Sequence, residues 1–597
     1  MLHLPVPPWA TPRPDGLHVV LLLDAGPAPG SVWLRTLADN EELLTPLAAD
    51  PLHGHDGTLA SWRGVVAWDG GNELTRYAFV VITAEGQRWL AADGEHALVP
   101  PEAMHFRHHP HEAPPSWVRE QVFYQVFPDR FASSGRALPA AVRQAAWGAP
   151  PERSHAAHTH YGGDLPGLIT KLPYLHEELG VTALYLNPVF EAGSNHRYDT
   201  HDYTRVCAQL GGDAALLELR HATRARGMRL VLDAVLNHTG RGHGWLAASP
   251  ERYARKADGT VLGWKGHASL PVLDFADRGV QQAVYGAEDS LLARWLKPPW
   301  SMDGWRLDVI HMLGEGPGAW NNTPHVRAMR QAIRKARPDA YVLGEHFSEA
   351  TRWLQGDQED GAMNYYGFTL PVQSWLAGLR LGLAGGVGNG AVPALAPRLT
   401  TAALVATLAR AIAPIPFANQ LAQFNLLDSH DTPRLLTELG GRDAPGALAL
   451  LGLAFTLQFT WPGVPCIYYG DETGLEGGAD PDNRRCFDWD RSRWATGLWQ
   501  QVRQLIALRR QRAEWQHGAL VALAQGEHWF AYTRCTAEAA TLVLANRGPA
   551  VSVSVPLHRV PLAPAAWRRA DGSGRFAHGS TVTLTLPEAS ATLLLTD

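Results

Sequence analysis

The chain has 597 residues, about four times the ~150 residues of a typical domain, so we expect more than one domain. Hydrophobic residues make up 46% of the chain and charged residues 18%, a composition that excludes a disordered protein. The 52 basic and 58 acidic residues give a net charge of -6. This balance gives no support to nucleic-acid binding, which depends on clustered positive charge.

The cysteine pattern and the N-terminal residues indicate the cellular compartment of the protein. The four cysteines are scattered without CxxC spacing, so neither a disulfide framework nor a zinc cluster is indicated; they are Cys207, Cys466, Cys486 and Cys535. The opening MLHLPVPPWATPRP lacks a basic segment followed by an apolar one. No run of the sequence reaches the ~18 apolar residues of a membrane span. We therefore expect a soluble, cytoplasmic protein that binds no membrane.

The first predicted unit is an N-terminal β-sandwich over residues 1–113. Short strand-like runs are separated by Asp-Gly and Gly-Gly turns; the runs are SVWLRTL, RGVVAW and TRYAFVVIT. The stretch from His105 to Trp117 is rich in proline and histidine and is typical of a linker between domains. Its four histidines could bind a metal, but a flexible loop orients ligands poorly, so the linker is the preferred interpretation.

A different pattern occupies residues 118–512, where short apolar runs alternate with longer helical stretches. Eight runs end in polar residues; they are VFYQVF, TALYLNPV, LVLDAVLNH, GWRLDVIHM, YVLGEHF, AMNYYGF, FNLLDSHD and PCIYYGDE. Strands that are apolar on both faces and alternate with helices predict an α/β fold, a (β/α)8 TIM barrel. A longer segment at about 238–274 interrupts the third unit and predicts a small inserted lobe over the barrel mouth.

The last unit, residues 515–597, alternates apolar and polar positions. The runs WFAYTR, ATLVLAN, VSVSVPL and TVTLTL are typical of antiparallel strands with one face buried. We predict a C-terminal β-sandwich.

The polar residues at the predicted strand ends carry the functional argument, because active sites of such barrels lie at the carboxyl ends of the strands. They are Asp233, Asn237 and His238 after strand three, Arg306 and Asp308 on strand four, Glu345 at the end of strand five, and His430 and Asp431 after strand seven. Barrel rims are polar in general, so any one of these residues could be a solvated loop charge. The complete set makes that interpretation much weaker.

This equipment suits the cleavage of a glycosidic bond, in which one carboxylate attacks the anomeric carbon and a second carboxyl group protonates the leaving oxygen. Arg306 and Asp308 are two residues apart on a strand and share a face, so we expect the guanidinium to keep Asp308 ionised. Glu345 follows the apolar run YVLG, and burial near negative charge should raise its pKa. Asp431 would stabilise positive charge on the sugar.

These motifs resemble those of a known family, the α-amylase family of glycoside hydrolases. The resemblance rests on four motifs in the family's order: DAVLNH, GWRLDVIH, LGEH and LLDSHD. It implies that Asp308 is the nucleophile, Glu345 the general acid/base and Asp431 the transition-state stabiliser.

The resemblance also implies sugar-binding residues. His238, Arg306 and His430 would contact the sugar in subsite −1, Asp233 would hold Arg306, and Asn237 would support the site. The other implied substrate-binding residues are Tyr198, which would stack on that sugar, Asp480 and Arg484, which would bind the next sugar outward, and His311 and His346. Two structural alternatives stay open: Tyr198 could be a packed core residue, and Asp480 and Arg484 could form only a loop ion pair.

Departures from the family pattern concern its calcium site. Calcium-binding members carry an aspartate where this chain has Val272, and a histidine where it has Met312. Asn237 alone is not a site for a cation that needs ~6–8 oxygen ligands. The segment FPDRFASSG (127–135) lacks the Asn/Asp cluster that forms a second calcium loop in some relatives. We expect no metal and no cofactor.

The N-terminal domain narrows the expected activity. Its segment VWLRTLADNEE (32–42) resembles the extra domain of the cyclomaltodextrinase, neopullulanase and maltodextrin glucosidase branch, most of all the intracellular maltodextrin glucosidases. In several relatives this domain pairs subunits, which implies a homodimer here; a starch-binding module or a stability element are the alternatives.

We therefore expect a retaining hydrolase of α-1,4-glucosidic bonds in short maltodextrins, with other α-glucan oligosaccharides as further substrates. The alternatives are a cyclomaltodextrinase or neopullulanase type of hydrolase, and a glucan transferase that uses the same site. Two rivals are weaker: a family member reduced to a binding subunit, and a metal-dependent hydrolase built on His155, His158 and His160.

Overall fold

The computed structural model describes residues 1–24, 29–38, 41–50, 59–68, 74–109, 113–378, 397–562, 566–577 and 579–596. Residues 110–112 of the predicted linker, and residues 39–40 of the segment 32–42, lie outside this set.

Two antiparallel sheets form the N-terminal domain. The ten strands are β1 (Ala10–Arg13), β2 (Gly16–Asp24), β3 (Ser31–Ala38), β4 (Glu41–Pro46), β5 (Ala48–Ala49), β6 (Leu59–Val66), β7 (Thr75–Thr83), β8 (Gly86–Ala91), β9 (Gly94–His96) and β10 (Phe106–His108). One sheet has the order β1-β2-β6-β5 and the other β4-β3-β7-β8-β9, with β10 also paired to β7. Leu21 of the first sheet and Val32 and Phe79 of the second share one buried core. The prediction of a β-rich N-terminal domain is confirmed.

The prediction of a linker from His105 onward is wrong for its first residues. Phe106 pairs with Tyr77 across β10 and β7, and the two rings stack with centroids 5.4 Å apart. His105 is fully buried. The prolines that suggest a linker come later in the stretch, and the aromatic residue among the histidines is held in the sandwich core.

Eight parallel strands form the barrel, and each coincides with one of the eight predicted runs. They are β11 (Phe123–Val126), β12 (Ala183–Leu186), β15 (Arg229–Ala234), β18 (Gly304–Leu307), β19 (Tyr341–Gly344), β20 (Gly361–Ala362), β21 (Phe424–Asn425) and β22 (Val464–Tyr468). Two hairpins lie between them, β13 (Phe190–Ala192) with β14 (Thr200–Val206) and β16 (Gly263–Trp264) with β17 (His267–Pro271). The sheet runs β20-β19-β18-β15-β12-β11-β22-β21, and a parallel bridge between Met363 and Phe424 joins its two ends. The TIM-barrel prediction is confirmed.

Helices lie between the strands and cover the barrel. They are α1 (Pro128–Phe131), α2 (Leu165–Thr170), α3 (Gly212–Ala225), α4 (Gly244–Ala248), α5 (Arg278–Gln281), α6 (Leu291–Arg294), α7 (Thr323–Ala336), α8 (Leu370–Leu376), α9 (Thr401–Ile412), α10 (Phe417–Gln420), α11 (Leu435–Glu438), α12 (Ala447–Thr460), α13 (Thr496–Gln511) and α14 (Ala513–His517). Helical turns of the π type add Pro173–Leu179, Gln282–Gly286 and Tyr365–Thr369. Among the helices that the structure describes, none has the length and apolarity to span a bilayer.

The segment after β15 forms the expected lobe. It contains α4 and the β16–β17 hairpin, and its returning strand pairs Val272 with His238. The Trp264 indole Nε1 lies 3.3 Å from Sδ of Met312, in the loop after β18. The lobe therefore contacts the carboxyl end of the barrel.

The C-terminal domain is antiparallel, as predicted. Its strands are β23 (Ala519–Gln525), β24 (Trp529–Cys535), β25 (Ala540–Asn546), β26 (Val551–Pro556), β27 (Trp567–Arg569), β28 (Arg575–Phe576), β29 (Thr581–Leu586) and β30 (Ser590–Thr596). The order β23-β24-β25-β30-β27-β28 forms one sheet, and β26 and β29 form another. The core between them also contains Leu4, Trp9 and Leu22 of the N-terminal region. The two β-domains thus share one apolar core.

Candidate active site

The polar side chains predicted from the strand ends meet at the carboxyl end of the barrel. Asp233 on β15 is in register with Arg306 on β18. Asp308 directly follows β18, Glu345 directly follows β19, and both carboxyl groups are buried. Because all parallel strands end at the same rim, three separate stretches of the sequence supply one site.

The guanidinium of Arg306 lies at the centre of this group. Its Nη1 donates to Oδ1 of Asp233 at 2.9 Å and to Oδ1 of Asp308 at 2.6 Å. Its Nη2 lies 2.5 Å from Oε1 of Glu345. One buried cation is therefore shared by three carboxyl groups, which favours retention of a proton within the cluster.

Because three carboxyl groups share the Arg306 guanidinium, the pKa of Asp308 differs from the expected one. Burial raises the pKa of Asp308 well above its ordinary value, and Glu345 and Asp233 raise it further, although Arg306 lowers it. A single guanidinium cannot offset both the lost hydration and two neighbouring carboxylates. The shift of the pKa of Asp308 is therefore opposite in direction to the one that we expected from Arg306.

A strained backbone position holds Glu345. The amide of Val309 donates to Oε2 of Glu345 at 2.7 Å. Val309 has φ 35° and ψ 38°, the left-handed region that a β-branched residue rarely occupies. Such strain concentrates at functional sites. Here it directs a backbone donor onto the carboxyl group.

Asp431 belongs to a second group on the other side of the rim. Its Oδ2 lies 3.1 Å from Nε2 of His430, and its Oδ1 lies 3.5 Å from Nη2 of Arg484. Arg484 also pairs with Asp480 at 3.0 Å. Burial raises the pKa of Asp431 to about 7, and Glu345 adds to this effect, whereas Arg484 and Arg306 oppose it. Asp480 and Arg484 do form an ion pair, and that pair reaches Asp431.

Tyr198 links the two groups. It lies between β13 and β14, and its hydroxyl donates to Oδ2 of Asp233 at 3.0 Å and lies 2.7 Å from Nε2 of His430. Burial lowers the pKa of His430 well below its ordinary value, and Arg484 and Arg306 lower it further, so the imidazole is neutral. Tyr198, whose side chain is half-buried, is therefore part of the site.

His238 and Asn237 lie beside the inserted lobe. The His238 ring lies 5.5 Å from the Trp264 ring, and burial lowers the pKa of His238 to about 3. Within the described part of the chain, Nε2 of His238 and Oδ1 of Asn237 are buried without hydrogen-bond partners. Buried polar atoms of this kind are suited to the hydroxyl groups of a sugar.

The remaining two histidines differ in placement. Nδ1 of His311 lies 3.1 Å from the Glu345 carbonyl oxygen. His346 lies outside the group around Arg306: its Nε2 is 2.8 Å from Oε2 of Glu359, and both side chains are buried. The structure therefore brings His311 to the candidate catalytic residues and places His346 in a separate pair.

Sequence reasoning missed three residues of the site. Gln125 donates to Nδ1 of His430 at 2.8 Å and to Asn187, and Tyr185 donates to Oδ2 of Asp233 at 2.8 Å. With Nδ1 of His430 accepting, its Nε2 carries the proton, and this nitrogen lies 2.7 Å from the Tyr198 hydroxyl and 3.1 Å from Oδ2 of Asp431. The sequence does contain a signal for two of them, because Gln125 and Tyr185 place polar atoms in apolar runs that are buried on both faces.

The three histidines considered for a metal-dependent hydrolase differ in their exposure to solvent. His155 and His158 are exposed, whereas His160 is buried and lies 3.6 Å from Asp129. In the residues that the structure describes, no group of three or more His, Cys, Asp or Glu is placed to hold a metal ion. The expected independence from metals stays a prediction.

Comparison with known proteins gives the same identification as the site. The family described as "Alpha amylase, catalytic domain" matches residues 125–260 and 262–533. A cyclomaltodextrinase of Geobacillus thermopakistaniensis is 30% identical over 570 residues, 88% of this chain and 89% of that protein. An intracellular maltogenic amylase of Bacillus subtilis is 35% identical over 418 residues, 66% of this chain and 63% of that protein.

A solved structure is similar over the whole length. A cyclomaltodextrinase superposes with a TM-score of 0.74 at 27% identity and covers 100% of this chain and 99% of that chain. The matched residues begin within β11 and end within β24, and they include the other seven barrel strands and the rim residues. The chain therefore belongs to the alpha-amylase family and is a glycoside hydrolase that acts on α-glucans.

Proposed function

We propose that the protein hydrolyses α-1,4-glucosidic bonds of short maltodextrins, with retention of configuration and through a covalent glucosyl-enzyme intermediate. The observation that carries this proposal is that Oδ1 of Asp308 and Oε1 of Glu345 lie 2.6 Å and 2.5 Å from the two terminal nitrogens of one guanidinium, that of Arg306. Retaining enzymes need their two carboxyl groups close together, at ~5–5.5 Å, whereas inverting enzymes leave space for a water molecule between them.

The reaction then has two steps. A carboxylate oxygen of Asp308 bonds to the anomeric carbon while the carboxylic acid of Glu345 gives its proton to the leaving glycosidic oxygen. In the second step Glu345 takes a proton from water, the water oxygen bonds to the anomeric carbon, and the bond to Asp308 breaks. Glu345 thus acts first as an acid and then as a base. A carboxyl cluster that shares the Arg306 guanidinium and favours retention of one proton suits this change of role.

The other rim residues would bind the reacting sugar. Asp431, as an anion, would stabilise positive charge at the ring, and His430 and His238 would donate to or accept from its hydroxyl groups. Asp480 and Arg484 would contact the next sugar outward. Arg484 pairs with both Asp480 and Asp431. These contacts support a binding surface that continues from the reacting sugar to the next sugar outward.

The finer activity is a maltodextrin glucosidase, which removes single glucose units. The alternative is a cyclomaltodextrinase or neopullulanase type of action, and the names of two similar proteins favour ring opening. Transfer to a sugar acceptor uses the same intermediate. Products from maltotriose, a cyclodextrin and pullulan separate these activities: stepwise glucose indicates the glucosidase, linear products from the ring indicate cyclomaltodextrinase, and longer chains indicate transfer. If the enzyme turned over none of these three substrates, the proposal would be contradicted.

We also propose a cytoplasmic location and a homodimer formed through the N-terminal domain. The name of the B. subtilis relative supports the first. The second is supported by exposed apolar side chains in or directly after the second N-terminal sheet, namely Leu43, Leu44, Ile82, Leu98 and Val99. Light scattering of the purified chain and of a Leu98→Asp variant tests the dimer: a monomeric mass for the unaltered chain would exclude it.

A further inference from the structure

Trp320 is an exposed tryptophan on the loop between β18 and α7, and 84% of its surface is open to solvent. This loop begins at Asp308, so it belongs to the active-site rim. Trp320 is the most exposed of the large apolar side chains that the structure describes. The residues behind it form a packed stack.

A continuous stack of planar groups leads inward from Trp320. The guanidinium carbon of Arg352 lies 4.9 Å from the Trp320 ring centroid and 4.3 Å from the Trp353 ring centroid. The Trp353 ring in turn lies 4.4 Å from the ring of His346, which follows Glu345 in the chain. Trp353 and His346 are buried. The exposed indole is thus the outermost layer of a packed column that ends at His346, the residue after Glu345.

Hydrogen bonds fix this column to the rim. Oδ1 of the buried Asn322 accepts from Arg352 at 3.0 Å and from the Trp353 indole at 3.2 Å. Nδ2 of Asn322 donates at 2.9 Å to the carbonyl oxygen of Ile310, two residues after Asp308. The column therefore joins the loops that follow the two candidate catalytic carboxyl groups. Its orientation is set before any ligand arrives, which lowers the entropic cost of binding.

We propose that Trp320 is a stacking platform for a sugar of the leaving or accepting part of an α-glucan chain, a site that extends the function proposed above and rests on it. Glu345 protonates the oxygen of the leaving sugar, so that part of the chain lies on the side of Glu345, where these two loops meet. Indole faces bind the flat apolar faces of sugar rings. Arg352 covers one side of the indole, and a sugar takes the solvent side.

The test compares Trp320→Ala with Trp320→Phe, using maltodextrins of two to seven glucose units. We expect Trp320→Ala to raise KM about 3- to 10-fold for the longer chains, as loss of one stacking contact would. The shortest substrate keeps its kcat and KM. Trp320→Phe restores most of the affinity because it keeps a planar face. The share of transfer products should fall with Trp320→Ala at equal substrate consumption.

Trp499→Ala is the matched control, since Trp499 is half-buried in α13, away from the strand ends, and the guanidinium carbon of Arg503 lies 5.7 Å from its ring centroid. An equal effect of both alanine variants, or a Trp320→Ala profile parallel to that of the unaltered enzyme, would overturn the platform. A change in solution mass with Trp320→Ala would assign the residue to contact between copies instead. If the unaltered enzyme cleaves no α-glucan, the proposed function fails first, and this outcome is distinct from the others.

Discussion

Glu359 occupies the space beside Gly344 in which any other residue would place its Cβ. Gly344 is the last residue of β19 and directly precedes Glu345. Glu359 also pairs with His346, which directly follows Glu345. The candidate general acid is thus held between two residues that contact one buried side chain.

A Gly344→Ala substitution should therefore damage both stability and catalysis. The added methyl group forces Glu359 or the strand to move, at a cost of about 1–3 kcal/mol, as for other overpacked core sites. We expect a lower melting temperature by scanning fluorimetry and a fall in kcat that exceeds the change in KM. Gly497→Ala, in α13 with open space around its Cβ, is the control and should be neutral or slightly stabilising. Equal effects of the two substitutions would contradict this account.

Asp308→Asn should abolish turnover and preserve the fold. The amide keeps the shape of the carboxyl group but cannot form the glucosyl ester, so we expect kcat on a maltodextrin to fall by at least ~10³-fold. The melting temperature should not fall, because burial already penalises the charge of Asp308. Activity above a few per cent of the original would show that another group is the nucleophile.

Hydrolysis should release the α-anomer first. Two inversions at the anomeric carbon, one by Asp308 and one by water, restore the starting configuration. Proton NMR of the first minutes of maltotriose cleavage, before mutarotation, measures this directly. An initial β-anomer would mean that water attacks in a single step.

Asp431 should make activity and stability respond to pH in opposite directions. Its pKa is about 7 in the folded protein and ordinary, near 3.8, in the unfolded chain. A carboxyl group with a raised folded pKa stabilises the fold at low pH, and this contribution is lost as the pH rises from about 4 through 7. The anionic form increases over the same range, so kcat/KM should rise as the pH passes through about 7.

The linkage is checked with Asp431→Asn, whose melting temperature is compared with that of the unaltered protein at pH 4.5 and pH 8. Relative to the unaltered protein, we expect Asp431→Asn to be more stable at pH 8 than at pH 4.5. The difference should be about 1–3 kcal/mol in the free energy of unfolding. A constant difference across this range would show that Asp431 does not titrate near neutrality.

Activity should survive exhaustive chelation. Val272 and Met312 stand where calcium-binding relatives have ligand side chains, and Val272 pairs with His238 through its backbone alone. Incubation with EDTA followed by gel filtration should leave kcat and the melting temperature unchanged. Recovery of a lost activity by calcium would contradict the prediction.

The barrel could be predicted because its strands are apolar on both faces, so each appears as a short run ending in polar residues. The same rule located Asp308 and Glu345. It could not show that Arg306 contacts Glu345 as well as Asp308, because that contact depends on the register between β18 and β19. Nor could it show that His346 pairs with Glu359, since His346 follows β19, Glu359 precedes β20, and no motif includes both.

Some errors have a local physical cause. Phe106 looks like part of a linker because histidines and prolines surround it, yet its ring stacks on Tyr77 and its backbone pairs with β7. The raised pKa of Asp308 requires knowledge of how many carboxyl groups share a cation, which a linear motif does not contain. Trp320 carries no signal in the sequence, because exposure and stacking on Arg352 depend on the meeting of two loops.

The core shared by Leu4, Trp9 and Leu22 with the C-terminal strands has a consequence for how the protein is made. These side chains are synthesised first, and their partners on β25 and β30 leave the ribosome last. During synthesis the early apolar surface has no native partner, so the N-terminal sandwich cannot reach its full stability until the chain is nearly complete. A version that lacks either β-domain would leave the other with an uncovered apolar face and a tendency to aggregate, even with every active-site residue in place.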